Sequence, residues 1–241
     1  MTEQAIILVA GLGQRMLPLT EQTPKCLVPV NGTPLLVNAL NHFAAVGVKR
    51  VLLVVGHLAG RFSETIGPSF RGLEVRYVEN SRYAATNSMY SLLLALREGE
   101  EDTWVLEGDV FFERAVLSLE AEGDFLWYGD AGARHMDGAF LLSDAQGYVR
   151  DLKIIREKAG RRPEGHFKSI GLLKLRRNAA AVLRQWLEQG GREDKVKLYY
   201  DLIVKEHIGE FPIRLVDVAG HKWFEIDDLE DLKKAERLFG P

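Results

Sequence analysis

The feature that most constrains the fold is an unbroken apolar run near the amino terminus, Ala5 to Ala10, which stops abruptly at Gly11. A strand covered by helices on both faces needs apolar side chains on both sides, so it lacks the alternation of a half-exposed strand. A glycine loop directly after such a strand brings backbone N–H groups to the carboxyl edge of a parallel sheet, where ligands bind. The run therefore predicts a parallel α/β sheet with a ligand loop at its first turn.

The loop after this run has the chemistry of a phosphate site. Gly11 and Gly13 let the backbone approach phosphate oxygens closely, and Arg15 and Lys25 add two cations. Two better-known glycine loops are excluded, because Met16 stands where a dinucleotide fingerprint needs its third glycine and the Gly-Lys-Ser/Thr of a P-loop is absent. The loop predicts a nucleoside triphosphate site, and an ordinary tight turn with surface cations is the alternative.

Strand and helix patterns alternate after the loop. Pro34 to Ala45 has helical spacing and Arg50 to Val55 has the pattern of a buried strand, which completes a first β-loop-α-β unit. His57 to Ile66 and Glu74 to Val78 repeat the pattern. The alternation predicts an α/β fold with a doubly wound, mostly parallel, Rossmann-like sheet and helices on both faces. No linker interrupts it, so a single domain over residues 1–241 is expected.

Composition narrows the class of protein. With 46% hydrophobic and 27% charged residues and a net charge of -3, the chain has no electrostatic reason to bind nucleic acid or a membrane surface. Cys26 is the single cysteine, so a disulfide framework is excluded and a packed thiol is expected. No signal peptide and no apolar stretch of membrane-spanning length is visible, which predicts a cytoplasmic protein without membrane insertion. Whether it forms a homo-oligomer stays open.

Two aspartates follow short strand patterns and suit a metal site. Asp109 and Asp227 would each lie at the carboxyl end of a strand, where Mg²⁺ bound by carboxylates bridges to substrate phosphates. Each also has a structural alternative: Asp109 could cap a helix at Glu113 to Leu119, and Asp227 could form a capping box with Glu230. The residues by themselves leave both interpretations open.

The loop and two later segments resemble a known family. The loop reads G-L-G-Q-R-M-L-P-L-T and then P-K-C-L-V-P-V, which is similar to the loop of nucleotidyltransferases that make sugar nucleotides and CDP-alcohols. The segments Y-A-A-T-N-S-M-Y-S and W-F-E-I-D-D resemble the branch of phosphocholine and 2-aminoethylphosphonate cytidylyltransferases. The family normally has Asn-Asn where this chain has Asn87-Ser88, and that pair also suits the cap of a helix.

The resemblance implies a reaction and a set of site residues. A phosphate or phosphonate oxygen of the acceptor attacks the α-phosphorus of CTP, and pyrophosphate leaves. Lys25 and Arg15 are the implied catalytic cations, and Asp109 and Asp227 the implied ligands of Mg²⁺. The implied nucleotide-binding residues are Ala10, Gly11, Gly13, Arg15, Asn80, Asn87 and Ser88.

The acceptor-selecting region is expected at roughly residues 124–210. There the resemblance implies that Asp137, Tyr200 and Asp201 meet an ammonium group and that Lys168 meets a phosphate or phosphonate, with the tyrosine and Asp201 on a helix at Val196 to Ile208. Aromatic faces and a carboxylate suit such a cation. Ala139 stands where a choline pocket has a Trp, which favours a primary-amine acceptor. The polar loop Ala159 to His166 is either a substrate flap or a mobile basic loop.

Two other functions compete with this one. A sugar-1-phosphate or inositol-1-phosphate nucleotidyltransferase would share the loop and the metal site, but it would need hydroxyl-reading side chains around the acceptor. A non-catalytic nucleotide-binding regulatory subunit could use the same scaffold. The presence of Lys25, Asp109 and Asp227 together argues against a regulatory subunit.

Overall fold

The fold comes from a computed structural model that describes residues 2–133, 137–156 and 164–240. Most of the proposed flap, including the turn at residues 160–163, lies outside the described residues. The strands, in chain order, are β1 (Gln4–Leu8), β2 (Pro29–Val30), β3 (Thr33–Pro34), β4 (Arg50–Val55), β5 (Ser69–Phe70), β6 (Leu73–Glu79), β7 (Thr103–Glu107), β8 (Val110–Phe112), β9 (Phe125–Asp130), β10 (Gly138–Ser143), β11 (Val149–Ile155), β12 (His166–Leu175), β13 (Ile213–Asp217) and β14 (Trp223–Glu225).

Helices separate the strands along most of the chain. None of them, within the described ranges, combines the length and apolar character needed to cross a membrane. The α-helices are α1 (Leu35–Ala45), α2 (Ala59–Thr65), α3 (Ser88–Leu96), α4 (Arg177–Arg192), α5 (Tyr200–Glu206) and α6 (Leu229–Leu238), and short 3-10 helices cover Gln14–Met16, Lys25–Leu27 and Arg114–Ser118.

The central sheet has ten strands among the described residues; β7, β1, β4 and β6 form its main parallel part, and β13 pairs in parallel with β9. The predicted parallel α/β arrangement is confirmed in this part. The acceptor-selecting region joins it through β12, which runs antiparallel to β7, β9 and β10, so the sheet is mixed. Two small sheets complete the part of the chain that the structure describes, and one of them pairs β14 with β8. That pairing brings the carboxyl-terminal segment beside the residues that follow β7.

The apolar run of β1 is explained by helices that cover both faces of the sheet. Ile6 packs into the core that contains α3, α4 and α5, while Ala5 and Ile7 pack into the core that contains α1 and α2. Successive side chains of a strand point to opposite faces, so a strand with two covered faces must be apolar throughout. A third, smaller core holds α6 against Met16 and Val28 of the glycine loop and its continuation.

Two predicted elements differ from those observed. A helix was expected at Glu113 to Leu119, but β8 comes first and only a 3-10 helix, Arg114–Ser118, follows, because Phe111 and Phe112 are buried in a strand paired with β14. The helix expected from Val196 begins at Tyr200 instead, with Tyr199 as its N-cap in an extended conformation. Cys26 is buried, as predicted.

Candidate active site

The site lies at the carboxyl edge of the parallel strands, where the segments after β1 and β7 pack directly on each other. The Gly108 amide donates to Leu8 O at 3.0 Å. A side chain at this position would place its Cβ only 2.5 Å from Val9 and 2.7 Å from Leu8 O. Only glycine allows this approach, which fixes Asp109 beside the glycine loop.

The glycine loop turns back on itself and presents two cations. Gly13 has a φ of 62°, which favours glycine, and its carbonyl accepts a hydrogen bond of 2.8 Å from Thr20 Oγ1. A Cβ on Gly13 would lie 3.1 Å from the Cβ of Lys25, so the two ends of the loop are in close contact. The loop thereby orients Lys25 inward, while Arg15 stays largely exposed.

The loop cations and the two predicted metal ligands form one ionic network. Lys25 Nζ donates to Asp109 Oδ2 at 2.9 Å and to Asp227 Oδ1 at 2.8 Å, and Arg15 Nη2 donates to the same Asp227 oxygen at 2.7 Å. Burial on its own would lower the pKa of Lys25, but the two carboxylates outweigh it and raise that pKa above its ordinary value. Lys25 is therefore a permanent cation. The structure brings together the four residues that sequence reasoning had assigned to catalysis and metal binding.

Neither aspartate caps a helix. Asp109 is followed by β8 and has no helix to cap. The N-cap of α6 is Asp228, whose Oδ1 accepts from the Glu230 and Asp231 amides at 2.9 Å each. The capping alternatives for Asp109 and Asp227 are both wrong. The capping carboxylate and the one that binds Lys25 therefore belong to consecutive residues.

The carboxylates around Asp109 form a cluster that could hold a divalent cation. Glu107, Asp109 and Glu225 each offer an oxygen, and these oxygens lie within 4.8 Å of one another. Asp109 Oδ1 is buried and accepts no hydrogen bond from any residue that the structure describes. Hard, anionic oxygen atoms are the ligands that Mg²⁺ takes in proteins, so the donor set fits such an ion.

Three adjoining cavities meet at this cluster, and Asn87, Asp109 and Tyr199 line all three. A narrow slot of about 200 Å³ runs over the ends of β1 and β7 and is edged by amide and hydroxyl side chains. A second cavity of about 530 Å³ follows the glycine loop and contains Arg15 and Lys25. The third, of about 640 Å³, lies against β10, β11 and β12. The arrangement can hold two small ligands that touch each other at Asp109.

The slot is built by an asparagine that sequence reasoning had placed at the nucleotide. Asn80 is buried, and its Nδ2 donates to Thr86 Oγ1 and to Ser91 Oγ at 3.0 Å each. Asn87 caps α3 through the Ser88 amide at 2.8 Å, as the sequence suggested. The predicted nucleotide residues Ala10, Gly11, Asn80, Asn87 and Ser88 line this slot, and Gly13 and Arg15 line the cavity of the glycine loop.

The third cavity contains three of the four predicted acceptor residues, Asp137, Lys168 and Asp201. Asp201 is buried, and burial raises its pKa to about 7 although Lys168 opposes the shift. Tyr200 is not among the lining residues, because its ring packs in the core 6.4 Å from that of Trp127. Tyr199, one residue earlier, lines the cavity instead.

The neighbours of Lys168 differ from those expected. Its Nζ donates to Glu225 Oε2 at 2.6 Å and to Ser169 O at 2.9 Å, so two of its three N–H donors are bound within the protein. Glu225 and Glu107 were both missed by sequence reasoning. A signal for them existed, because each stands two residues before a predicted metal ligand, in Glu107-Gly108-Asp109 and in Glu225-Ile226-Asp227.

In this chain a glycine loop with two cations follows a parallel strand, and its lysine binds two aspartates that lie at the ends of other strands. This combination is that of a nucleotidyltransferase domain. The chain belongs to the family of the MobA-like NTP transferase domain, whose sequence profile matches residues 5–196. The chain is therefore an enzyme of the nucleotidyltransferase class.

Relatives of this chain include two cytidylyltransferases and a CMP-phosphonate synthase. It is 35% identical over 247 residues to the CMP-5'-(3-aminopropyl)phosphonate synthase of Streptomyces rubellomurinus, covering 99% of this chain but only 39% of that protein. It is 30% identical to the choline-phosphate cytidylyltransferase of Streptococcus pneumoniae, covering 98% of this chain and 97% of that protein. It is also 30% identical to the 2-aminoethylphosphonate cytidylyltransferase of Lancefieldella rimae, covering 95% and 89%.

A solved structure with the same fold is that of the CTP:phosphocholine cytidylyltransferase from Streptococcus pneumoniae. It superposes with a TM-score of 0.80 at 26% identity and covers 99% of each chain. The inositol-1-phosphate CTP transferase of T. maritima has a TM-score of 0.77 at 19% identity, which shows a shared fold. The predicted membership in this family and the predicted fold class are confirmed.

Proposed function

We propose that this chain transfers the cytidylyl group of CTP to a small aminoalkyl phosphate or phosphonate and releases pyrophosphate, with Mg²⁺ as cofactor. The observation that carries the proposal is the position of Lys25 on Asp109, at the residue where the glycine-loop cavity, the slot and the carboxylate-lined cavity meet. A group transferred between two small ligands has to pass through such a junction.

The proposed nucleotide site consists of the slot and the glycine loop. The slot is edged by the side chains of Asn80, Thr86 and Ser88, which donate and accept hydrogen bonds as recognition of a base edge requires. The glycine loop offers backbone N–H groups near the phosphates, and Arg15 and Lys25 supply positive charge. CTP would lie with its base in the slot and its triphosphate along the loop.

The proposed chemistry is an in-line displacement. An anionic oxygen of the acceptor forms a bond to the α-phosphorus, the bond from that phosphorus to the oxygen bridging to the β-phosphate breaks, and pyrophosphate takes the electron pair. No general base is needed, because the attacking oxygen is already ionised at neutral pH. Lys25 stabilises the charge that develops on the α-phosphate, and such stabilisation with positioning accounts for most of the catalysis of phosphoryl-group transfer.

The divalent ion would be held by carboxylates at the same place. Asp109 and Asp227 are the proposed ligands, and Glu107 and Glu225 lie close enough to Asp109 to orient it or to share the ion. When bound, Mg²⁺ neutralises phosphate charge. In this chain Lys25 holds both aspartates in position until the nucleotide supplies phosphates for the lysine to bind.

The acceptor cavity favours a cation that donates hydrogen bonds. Asp201 Oδ1 is buried and receives no hydrogen bond from the described part of the chain, although Asp201 lines the cavity. Asp137 adds a further carboxylate to the lining, and Tyr199 is the one aromatic side chain among the described lining residues. A quaternary ammonium needs several aromatic faces and cannot satisfy an orphaned oxygen, whereas a primary ammonium can. We therefore propose a primary-amine acceptor.

The test is an acceptor panel assayed by pyrophosphate release. CTP is supplied with 2-aminoethylphosphonate, phosphoethanolamine, phosphocholine, inositol-1-phosphate and glucose-1-phosphate, and kcat/KM is measured for wild type and for Asp137→Asn. The expected result is highest kcat/KM for a primary-amine acceptor and a loss for it in Asp137→Asn. Preference for a sugar or inositol phosphate would overturn the acceptor class, and nucleotide binding without turnover of any acceptor would indicate a regulatory subunit.

A further inference from the structure

Lys168 is a buried cation built into the wall of the acceptor cavity. Its side chain is 3% exposed, and its ammonium donates to Glu225 Oε2 at 2.6 Å and to Ser169 O at 2.9 Å. The ring of Trp223 lies beneath it, with the centroid 6.0 Å from Nζ. Two hydrogen bonds and an aromatic face hold the ammonium in one place, so it does not move freely to a ligand.

The backbone opposite is shaped to admit this ammonium. Gly138 has a φ of 107°, in the region that favours glycine, and a Cβ there would lie 2.8 Å from Lys168 Nζ and 3.3 Å from its Cε. A side chain at position 138 would approach the end of the lysine. Gly138 therefore leaves the space on β10 that the ammonium occupies.

The cavity wall around Lys168 contains more carboxylates than this one lysine can bind. Glu107, Asp201 and Glu225 all border the cavity, while Lys168 bonds only Glu225 among them. Asp201 Oδ1 is buried in the same lining and accepts no hydrogen bond from the described residues. Buried carboxylates need charge compensation and hydrogen bonds, so the cluster has room for one further cation with N–H donors.

We propose that Lys168 determines acceptor specificity: its ammonium fills part of the cavity and binds Glu225, which leaves Asp201 to the acceptor's cation and so admits a primary ammonium and disfavours a quaternary one. This assignment rests on the proposed function. It differs from the sequence-based expectation that Lys168 binds the phosphate or phosphonate. A trimethylammonium group is larger, donates no hydrogen bond, and would need the volume and the negative charge that Lys168 uses.

Removal of the lysine charge should therefore weaken the preference for a primary-amine acceptor over a quaternary one. Lys168→Met keeps an unbranched apolar stem, frees Glu225 and opens space beside it. The ratio of kcat/KM for phosphocholine to that for 2-aminoethylphosphonate is expected to rise about tenfold or more, a size typical of discrimination by a small group in a pocket. The change is expected mainly in KM, because the proposed role of Lys168 is in binding the acceptor and not in stabilising the charge that develops on the α-phosphate.

The experiment measures both acceptors with saturating CTP in wild type, Lys168→Met and Lys168→Gln. Lys174→Met is the matched control, since Lys174 lies on the same strand and bonds Glu120 at 2.9 Å outside the cavity. The control is expected to keep the wild-type ratio. An equal loss for both acceptors in the Lys168 variants would mean a merely structural lysine and would overturn the assignment.

A second measurement uses wild type and does not depend on variant folding. Acceptors carrying none to three N-methyl groups are compared, and kcat/KM is expected to fall with each methyl group. A flat series would overturn the assignment while cytidylyl transfer stands. A wild type that turns over no aminoalkyl acceptor would overturn the proposed function itself, which is a different result.

Discussion

Lys25 donates to Asp109 Oδ2 at 2.9 Å and joins the glycine loop to the end of β7 across 84 positions of the chain. The same ammonium reaches Asp227, which lies 202 positions away. The three groups are mostly buried, with side-chain exposures of 16%, 25% and 12%. Loss of any of them leaves a partly buried charge without compensation, so each substitution acts on both the site and its surroundings.

The first prediction concerns this lysine. Lys25→Met should lower kcat by about 10²–10³-fold or more, because a positioned cation at the developing charge is worth that much in comparable sites. The fold should persist, since β1 and its two cores do not depend on Lys25. Steady-state kinetics with circular dichroism would check this. Lys49→Met, which removes an exposed partner of Glu3, serves as the control and should behave as wild type.

The second prediction separates two adjacent aspartates. Asp227→Asn should abolish metal-dependent turnover, because a neutral amide is a poor ligand for Mg²⁺ and a poor partner for Lys25. Asp228→Asn should leave turnover and stability close to wild type, because Asn caps a helix about as well as Asp. Asp228→Ala should cost about 1 kcal/mol of stability with activity retained. The measurements are kcat and the free energy of unfolding.

Asp109, which follows β7, is expected to behave like Asp227. Asp109→Asn should also abolish turnover, and no helix cap is lost in this variant, because no helix begins at Asp109. If Asp109→Asn or Asp227→Asn kept wild-type kcat, that residue would have no part in catalysis.

The third prediction concerns metal affinity before the nucleotide binds. Lys25 holds oxygens of both Asp109 and Asp227, so a divalent ion should bind weakly to the nucleotide-free protein. Mn²⁺ titration followed by electron paramagnetic resonance would measure this directly. Lys25→Met should bind Mn²⁺ more tightly than wild type in the absence of CTP. Tight Mn²⁺ binding by nucleotide-free wild type would contradict the competition between lysine and metal.

The fourth prediction is a pH dependence of stability that arises outside the site. His42 Nε2 lies 2.9 Å from the carbonyl oxygen of Phe112, and burial, assisted by the charge of Arg114, lowers the pKa of His42 below its ordinary 6.5. The unfolded chain then takes up the proton more readily than the folded one. The His42 contribution is fully present above pH 6.5 and is lost as the pH falls below that value toward the folded pKa.

Melting temperatures of wild type and His42→Gln between pH 8 and 5.5 would check this, because that range lies on both sides of the ordinary pKa of 6.5. Only the difference between the two proteins is used, because the buried carboxyl groups titrate in both. The wild type should lose more stability than the variant on the acid side. Parallel curves would contradict the assignment to His42.

Much of the fold followed from local patterns. The strand Arg50–Val55 and the helix that ends at Ala45 have the predicted bounds or nearly so, because their periodicity is strong and glycine or proline ends each element. The antiparallel entry of β12 beside β7 had no comparable signal. Strand order and direction depend on pairings between distant segments, and a single strand pattern fits either direction.

The sequence by itself determined the parallel strands around β1, the phosphate-binding character of the glycine loop, and the residues Arg15, Lys25, Asp109 and Asp227 that meet there. The strands and the loop follow from residue type and short spacing, which act through neighbours along the chain, whereas the meeting of Asp109 and Asp227 was implied by the family resemblance. Tertiary structure decided which of two adjacent tyrosines borders the acceptor cavity, because the first turn of α5 sends Tyr200 into the core and leaves Tyr199 at the N-cap. It also decided that Lys168 pairs with Glu225, 57 positions away in the chain. A buried ammonium needs a carboxylate partner, and only the packing of β12 against β14 determines which carboxylate lies next to it.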